Sequence, residues 1–137
     1  MEATMDKRGT VRPTAAELEI LQVLWELGPA TVRQVNDRLS EERTVGYTTT
    51  LKLMQIMHEK GLLDRDETQR SHRYAPAVRR GETQRRLLDR FVAAAFGGSA
   101  AKLVMQALSD HRASPEEISE IRQFLDRLEE ERNGTAR

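Results

Sequence analysis

Tyr47, Thr48, Thr49 and Lys52 are the side chains of this sequence best placed to act on a partner. They lie in T-V-G-Y-T-T-T-L-K-L-M-Q-I-M-H-E-K-G, residues 44–61. A helical period of about 3.6 puts Thr50, Leu53, Met54 and Met57 on one side and Thr48, Lys52, Gln55 and Glu59 on the other. The outward side therefore opens with hydroxyls and carries an amine one turn on. Such groups hydrogen-bond phosphate oxygens and base edges, and short threonines let a helix backbone come close to a groove. The helix is predicted over about 45–60, ended by Gly61, because only glycine enters the left-handed C-terminal cap without steric cost. Leu62 and Leu63 then begin a strand, residues 66–71 make a polar tip, and His72, Arg73, Tyr74 and Ala75 return. Pro76, which has no N–H to donate, is expected to end the pairing. Arg70, His72 and Arg73 make the hairpin basic, and Arg43 stands just ahead of the helix. Helix, glycine, strand, basic tip, strand is the second half of a winged helix-turn-helix, whose recognition helix points its first turn into the major groove. A solvated amphipathic helix followed by a surface hairpin stays open as a reading of this stretch alone.

No other constellation points to chemistry. The absence of cysteine excludes disulfides, thiolate metal sites and cysteine redox sensing. His58, His72 and His111 are scattered rather than at ligand spacing, so neither a metal nor a cofactor is expected. There is no Gly-rich phosphate loop, no G-x-S-x-G and no paired acids in an apolar setting, so no enzyme is expected. With 38% hydrophobic, 32% charged and only 4% aromatic residues, the composition favours soluble amphipathic helices over a sheet-dominated core. No apolar run approaches the roughly 18 residues of a membrane span, and M-E-A-T-M-D-K-R-G-T has no apolar core, so a cytoplasmic location without membrane insertion is expected. The formal net charge is zero, which counts mildly against a nucleic-acid binder. Its distribution counts the other way: residues 43–80 hold eight Lys or Arg against four acids. A dimer would present that surplus twice, enough for a few salt-sensitive phosphate contacts per half.

These side chains can be positioned only if neighbouring elements build a core. The 137 residues allow one ordinary domain or two small ones. Thr14 and Glu17 form a capping box for a first helix with Leu18, Leu21, Val23, Leu24 and Trp25 on its buried face, ended by Gly28-Pro29. Ala30 and Thr31 are expected to make a very short strand against the hairpin. Thr31 and Gln34 box a second helix carrying Val32, Val35 and Leu39. Residues 40–44 turn into the recognition helix, which completes a trihelical unit. A further helix is predicted over 79–95, with Leu87, Leu88, Phe91 and Val92 opposite Arg79, Arg80, Arg85, Arg86 and Arg90. Gly97-Gly98 breaks it, and Ser99 caps a short helix with Leu103, Val104, Met105 and Leu108. Ser114-Pro115-Glu116-Glu117 opens a last helix carrying Ile118, Ile121, Phe124, Leu125 and Leu128, fraying after Glu131. The expected fold is thus mainly α with a small β-hairpin. Residues 1–12 are a flexible arm whose Lys7, Arg8 and Arg12 could brush DNA, although a solvated tail is the plainer reading. A winged helix-turn-helix domain covers 13–78, a three-helix dimerisation domain 79–132, and a frayed tail 133–137. Three short helices bury too little apolar area to stand alone. Pairing with a second copy is expected through Leu87, Phe91, Leu103, Val104, Leu108, Ile121 and Leu125, some of which could equally be internal core; folding back on the first domain is the alternative.

The chain resembles the penicillinase-repressor family of BlaI-, MecI- and CopY-type regulators. The resemblance is carried by T-A-A-E-L-E-I-L-Q-V-L-W at 14–25, Y-T-T-T-L-K-L-M at 47–54, K-G-L-L at 60–63, R-Y-A-P at 73–76 and L-V-x-x-A-L at 103–108. It implies a winged-helix homodimer that binds a dyad operator in double-stranded DNA and represses transcription, as in the regulation of antibiotic resistance. Carried over by position, the recognition residues are Tyr47, Thr48, Thr49 and Lys52, with Thr49 and Lys52 expected to matter most, and the wing residues are Arg70, His72 and Arg73. The family often has Lys or Arg where Thr48 stands, which implies a different operator. In the β-lactam branch a membrane sensor metalloprotease triggers cleavage of the C-terminal domain at an Asn-Phe bond. That pair is absent here; its nearest counterpart is A-A-F-G-G at 94–98, making Ala95, Phe96 and Gly97 the candidate region. The copper branch's cysteine motif is absent too. Two other classes stay open on the residues: a winged-helix module that binds protein, which suits the neutral charge, and a regulator holding a small molecule, for which no pocket signature is evident.

Overall fold

A computed structural model describes residues 12–110 and 112–135. Lys7, Arg8 and the rest of the N-terminal arm before Arg12, His111, and the last two residues of the expected tail lie outside the described residues. Six helices and one hairpin follow in the order α1 (Ala15–Leu27), α2 (Val32–Leu39), α3 (Tyr47–Glu59), β1 (Leu63–Asp66), β2 (Arg73–Pro76), α4 (Arg80–Phe96), α5 (Ala100–Ser109) and α6 (Pro115–Thr135). The chain is mainly helical with a two-stranded antiparallel hairpin, as the sequence predicts. It divides into two units, one up to Arg85 and one from Arg86 on, so the division falls inside α4, a little beyond the end of the hairpin.

Local chemistry sets the element ends. The Thr14 hydroxyl accepts from the Glu17 N–H at 3.2 Å while the Glu17 carboxylate accepts from the Thr14 N–H at 2.9 Å. Thr31 and Gln34 repeat this at α2 with the same two distances. Ser114 and Glu117 do so at α6, and Ser99 caps α5. Each box satisfies two N–H groups that a helix start leaves orphaned. α3 starts at Tyr47, two residues later than the periodicity suggested, with Gly46 as its N-cap and no side chain bonded there. At its other end Gly61 takes φ +85°, and the Leu62 N–H donates back to the Met57 carbonyl at 2.9 Å. That bond closes the helix and reverses the chain into β1.

In the first unit, α1, α2 and α3 enclose Ile20, Leu21, Leu24, Val32, Val35, Met54 and Met57, and the hairpin adds Leu62, Leu63 and Tyr74. The hairpin pairs Leu63 with Pro76, Asp64 with Ala75, Arg65 with Tyr74 and Asp66 with Arg73. Pro76 is the last residue of the ladder and ends the pairing as the sequence predicts. Ala30 bridges Tyr74 through two backbone bonds of 3.0 and 2.8 Å, giving the short third strand expected at 30–31. Trp25 packs against this core, and its indole N–H donates to the Val78 carbonyl at 3.3 Å, tying the segment after the hairpin back to α1.

The second unit is built differently. Among the described residues Val92 is its one buried large apolar side chain, while Leu88, Phe91, Val104, Met105, Phe124, Leu125 and Leu128 are exposed. Among the described residues of the first unit only Leu27 and Tyr47 are exposed at that size. α6 runs to Thr135, past the fraying expected after Glu131, through Asn133 and Gly134, which are poor helix formers; no proline interrupts it. No single helix among the described residues is long and apolar enough to cross a membrane.

Candidate nucleic-acid interface

α3 keeps the two faces its sequence predicts. Thr50, Met54 and Met57 are buried and Leu53 is half-buried; Tyr47, Thr48, Thr49, Lys52, Gln55 and Glu59 are exposed. The side chains of Thr48 and Lys52 make no hydrogen bond or ion pair among the described residues. Their donors and acceptors are held out on a rigid element for another molecule to use.

Two polar ties fix that element. At the start of α3, the buried Asn36 amide of α2 donates to the Val45 carbonyl at 3.0 Å and to the Thr50 hydroxyl at 2.9 Å; Ser40 adds a bond to Val45 at 3.3 Å. At the far end the Lys60 ammonium reaches both Glu17 oxygens, at 2.8 and 2.9 Å, with the Glu17 side chain 2% and the Lys60 side chain 12% exposed. Recognition-helix orientation is thus set through α2 at one end and α1 at the other. The sequence reading missed both ties. Asn36 carried a signal, since it interrupts the apolar stripe Val32, Val35, Leu39. Glu17 was read only as a cap, and nothing local pairs it with a residue 43 positions away.

Other expected contacts sit in more particular surroundings. Arg43 is turned onto α1, where its guanidinium meets both oxygens of Glu19 at 2.8 and 2.9 Å. The hydrogen bond to Glu19 and then that carboxylate's charge hold the Arg43 pKa above its ordinary value. Thr49 lines a surface hollow of about 310 Å3 together with Ala16, Ile20, Val45 and Leu53. The Tyr47 ring lies under the guanidinium of Arg33, a residue of α2, at 4.7 Å from the ring centroid.

At the hairpin tip Asp66 accepts from the Thr68 N–H at 2.9 Å and from its hydroxyl at 2.7 Å. The backbone bond first, then the hydroxyl, hold the Asp66 carboxyl below its ordinary pKa. Arg65 bonds Tyr74 and Glu67, and the Tyr74 bond chiefly raises its pKa. Arg70, His72 and Arg73 are exposed and form no ion pair among the described residues.

In the second unit, of the residues expected to pair two copies, Phe91, Val104 and Leu125 are exposed, while Leu87, Leu103, Leu108 and Ile121 are half-buried. Met105, Phe124, Leu88 and Leu128 are exposed as well and were not in that set. Ala95 and Phe96 form the last turn of α4, Phe96 edge-on to Phe91 at 5.8 Å, and Gly97 follows at φ +59°. No group of three or more His, Asp or Glu that could hold a metal ion occurs among the described residues.

Comparison with known proteins matches this arrangement to one family. Residues 13–127 fit the penicillinase repressor family, covering α1 to α3, the hairpin and most of the second unit. The chain is 32% identical over 115 residues to the transcriptional regulator BlaI of Mycobacterium tuberculosis, covering 82% of each protein. It is 26% identical to the penicillinase repressor of Bacillus licheniformis, over 81% of this chain and 87% of that one. It is 22% identical to the methicillin resistance regulatory protein MecI of Mammaliicoccus sciuri, over 90% of this chain and 99% of that one. On the extent of these matches, the chain belongs to the penicillinase repressor family of transcriptional regulators.

Proposed function

We propose that the protein is a cytoplasmic homodimer that represses transcription by laying α3 of each copy into the major groove of a dyad operator, with Arg70, His72 and Arg73 of the hairpin along the adjacent backbone. One observation carries this reading: the outward face of α3 offers Thr48 and Lys52 without side-chain partners among the described residues, while buried ties hold the same helix at both ends. Hydroxyls and an ammonium on a fixed helix suit phosphates and base edges. Two such helices would meet half-sites about one DNA turn apart, or a multiple of that. The exposed apolar side chains of α4, α5 and α6 supply the surface for pairing, since a soluble monomer seldom leaves so many uncovered.

Release of the operator follows from losing the second unit, by cleavage around Ala95, Phe96 and Gly97 or otherwise, because a lone winged helix contacts half as many phosphates and binds correspondingly less at cellular salt. The partner proposed for release by cleavage is a membrane sensor metalloprotease, acting directly or indirectly.

The test is a salt titration of binding to a duplex enriched by the protein from a random-sequence pool. The logarithm of affinity should fall linearly with the logarithm of salt, and Lys52→Ala should lower both affinity and slope, by about one phosphate contact per protomer. Failure to retain any duplex at low salt would refute operator binding and leave the protein-binding alternative standing.

A further inference from the structure

We propose that Arg33 of α2, outside the recognition helix, is a phosphate clamp of this interface, pre-set by stacking on Tyr47. It rests on the operator-binding reading above and adds a residue which that reading does not contain.

The geometry sets Arg33 apart from its neighbours. Arg38 is engaged by Glu26 at 2.8 Å and Glu41 at 3.4 Å, and Arg43 by Glu19. Arg33 makes no ion pair and no side-chain hydrogen bond among the described residues, although Asp37 stands one turn further along the same helix. Among the described residues its side chain meets the Tyr47 ring, whose centroid lies 4.7 Å from the guanidinium carbon. Both residues are exposed. A guanidinium over a ring uses its face, whereas its N–H donors lie in its own plane. Its position over the ring holds the guanidinium in place, while no hydrogen bond or ion pair among the described residues uses its N–H donors. The planar fork matches two oxygens of one phosphate, and a pre-set fork loses less side-chain freedom on binding than a free arginine.

Placement agrees with this. In a helix-turn-helix the first helix of the pair crosses the DNA backbone while the second enters the groove. Arg33 belongs to the first, Tyr47 opens the second, and the stack joins them beside the outward face of α3. The chemistry indicated is the phosphodiester backbone of duplex DNA, and the contact is positional, without base preference. Tyr47 then acts through its ring, as the platform for Arg33.

Fluorescence anisotropy tests this with two labelled duplexes: one enriched from a random pool by the wild-type chain, and a scrambled duplex of equal length. Each is titrated from about 0.05 to about 0.3 M KCl. One phosphate contact contributes about 0.9 to the salt slope, so Arg33→Ala should weaken binding about eightfold per protomer at about 0.1 M salt and lower the slope by about 0.9 per protomer, about 1.8 for the dimer. The factor should be the same on both duplexes. Arg33→Lys should keep the slope and recover part of the affinity. In a Tyr47→Leu background, the Arg33→Ala loss should shrink, because the platform is gone. Thermal melts of Arg33→Ala should overlay wild type. An unchanged slope in Arg33→Ala overturns the proposal, and so does a loss confined to the enriched duplex, which would mean base readout. If Lys52→Ala weakens binding and Arg33→Ala does not, Arg33 falls alone; if wild type enriches no duplex, operator binding and the clamp fall together.

Discussion

Lys60→Met should unfold the first unit at a much lower temperature, and the structure says by how much. Glu17 is 2% exposed and receives Lys60 through two bonds of 2.8 and 2.9 Å, plus the Thr14 N–H at 2.9 Å. Removing the ammonium leaves a buried carboxylate with one backbone donor, a change that costs about 3–5 kcal/mol. For a domain this size each kcal/mol moves the midpoint by about 4–8 °C, so a drop of about 12 °C or more is expected. The reverse deletion should be milder. Glu17→Gln keeps an oxygen for the Thr14 N–H, and the orphaned ammonium, already 12% exposed, can swing into water on its flexible stem. Its cost is about 1.5–3 kcal/mol. The double variant Glu17→Gln/Lys60→Met buries no charge and should be more stable than Lys60→Met alone, so the two substitutions are non-additive. Fluorescence of the single tryptophan, Trp25, whose indole is bonded to Val78, reports on this unit in melts of the full chain. If Lys60→Met melts within about 3 °C of wild type, or the double variant is no better, the pair does not hold α3 to α1 as described.

Three further outcomes follow from the same structure. Asn36→Ala leaves the Val45 carbonyl and Thr50 hydroxyl without their buried donor; it should cost about 1–3 kcal/mol in urea titrations and weaken duplex binding, because the start of α3 loses its tie. Leu125→Lys, which places a charge on the exposed apolar face of α6, should raise the dimer dissociation constant in sedimentation at least about tenfold, since one buried leucine is worth about 1.5–3 kcal/mol; an unchanged constant removes this face from the dimer. At the hairpin tip the Asp66 carboxyl titrates below its ordinary value of 3.8 in the folded chain, so its contribution is present above that value and lost as pH falls through the lowered one. The Thr68 amide resonance should therefore move with a midpoint below 3.8, and a midpoint at or above it would show that the turn bond does not form in solution.

What could be read without coordinates was whatever depends on near neighbours along the chain. The capping boxes at Thr14, Thr31 and Ser114 are contacts over three residues and stand as predicted, as do the two faces of α3. The bridge from Ala30 to Tyr74 was legible because a short apolar segment beside a hairpin has few other places to pair. The misses are side chains whose partners come from far along the sequence: Glu17 with Lys60, Arg43 with Glu19, Arg33 with Tyr47. Periodicity sorts such residues into inside and outside but not into pairs. Glu17 shows the limit most clearly, since the cap it was assigned is real and conceals the second role of the same carboxylate.

Those distant pairs also answer the objection raised by a formal net charge of zero. In the first unit Glu17, Glu19, Glu26, Glu41 and Glu67 are each paired with a cation: Lys60, Arg43, Arg38, Arg38 again, and Arg65. Arg33, Lys52, Arg70 and Arg73 form no ion pair among the described residues. At about 0.15 M salt, charges more than about 8 Å away are largely screened, so what an approaching phosphate meets is decided locally and not by the sum over the chain. A neutral total is then compatible with a positive contact surface, provided the acids are tied down beside paired cations. The same reasoning gives charge swaps opposite signs by position: Glu19→Gln frees Arg43 and should tighten duplex binding at low salt, whereas Lys52→Gln should weaken it, and equal effects from the two would mean that total charge governs binding after all.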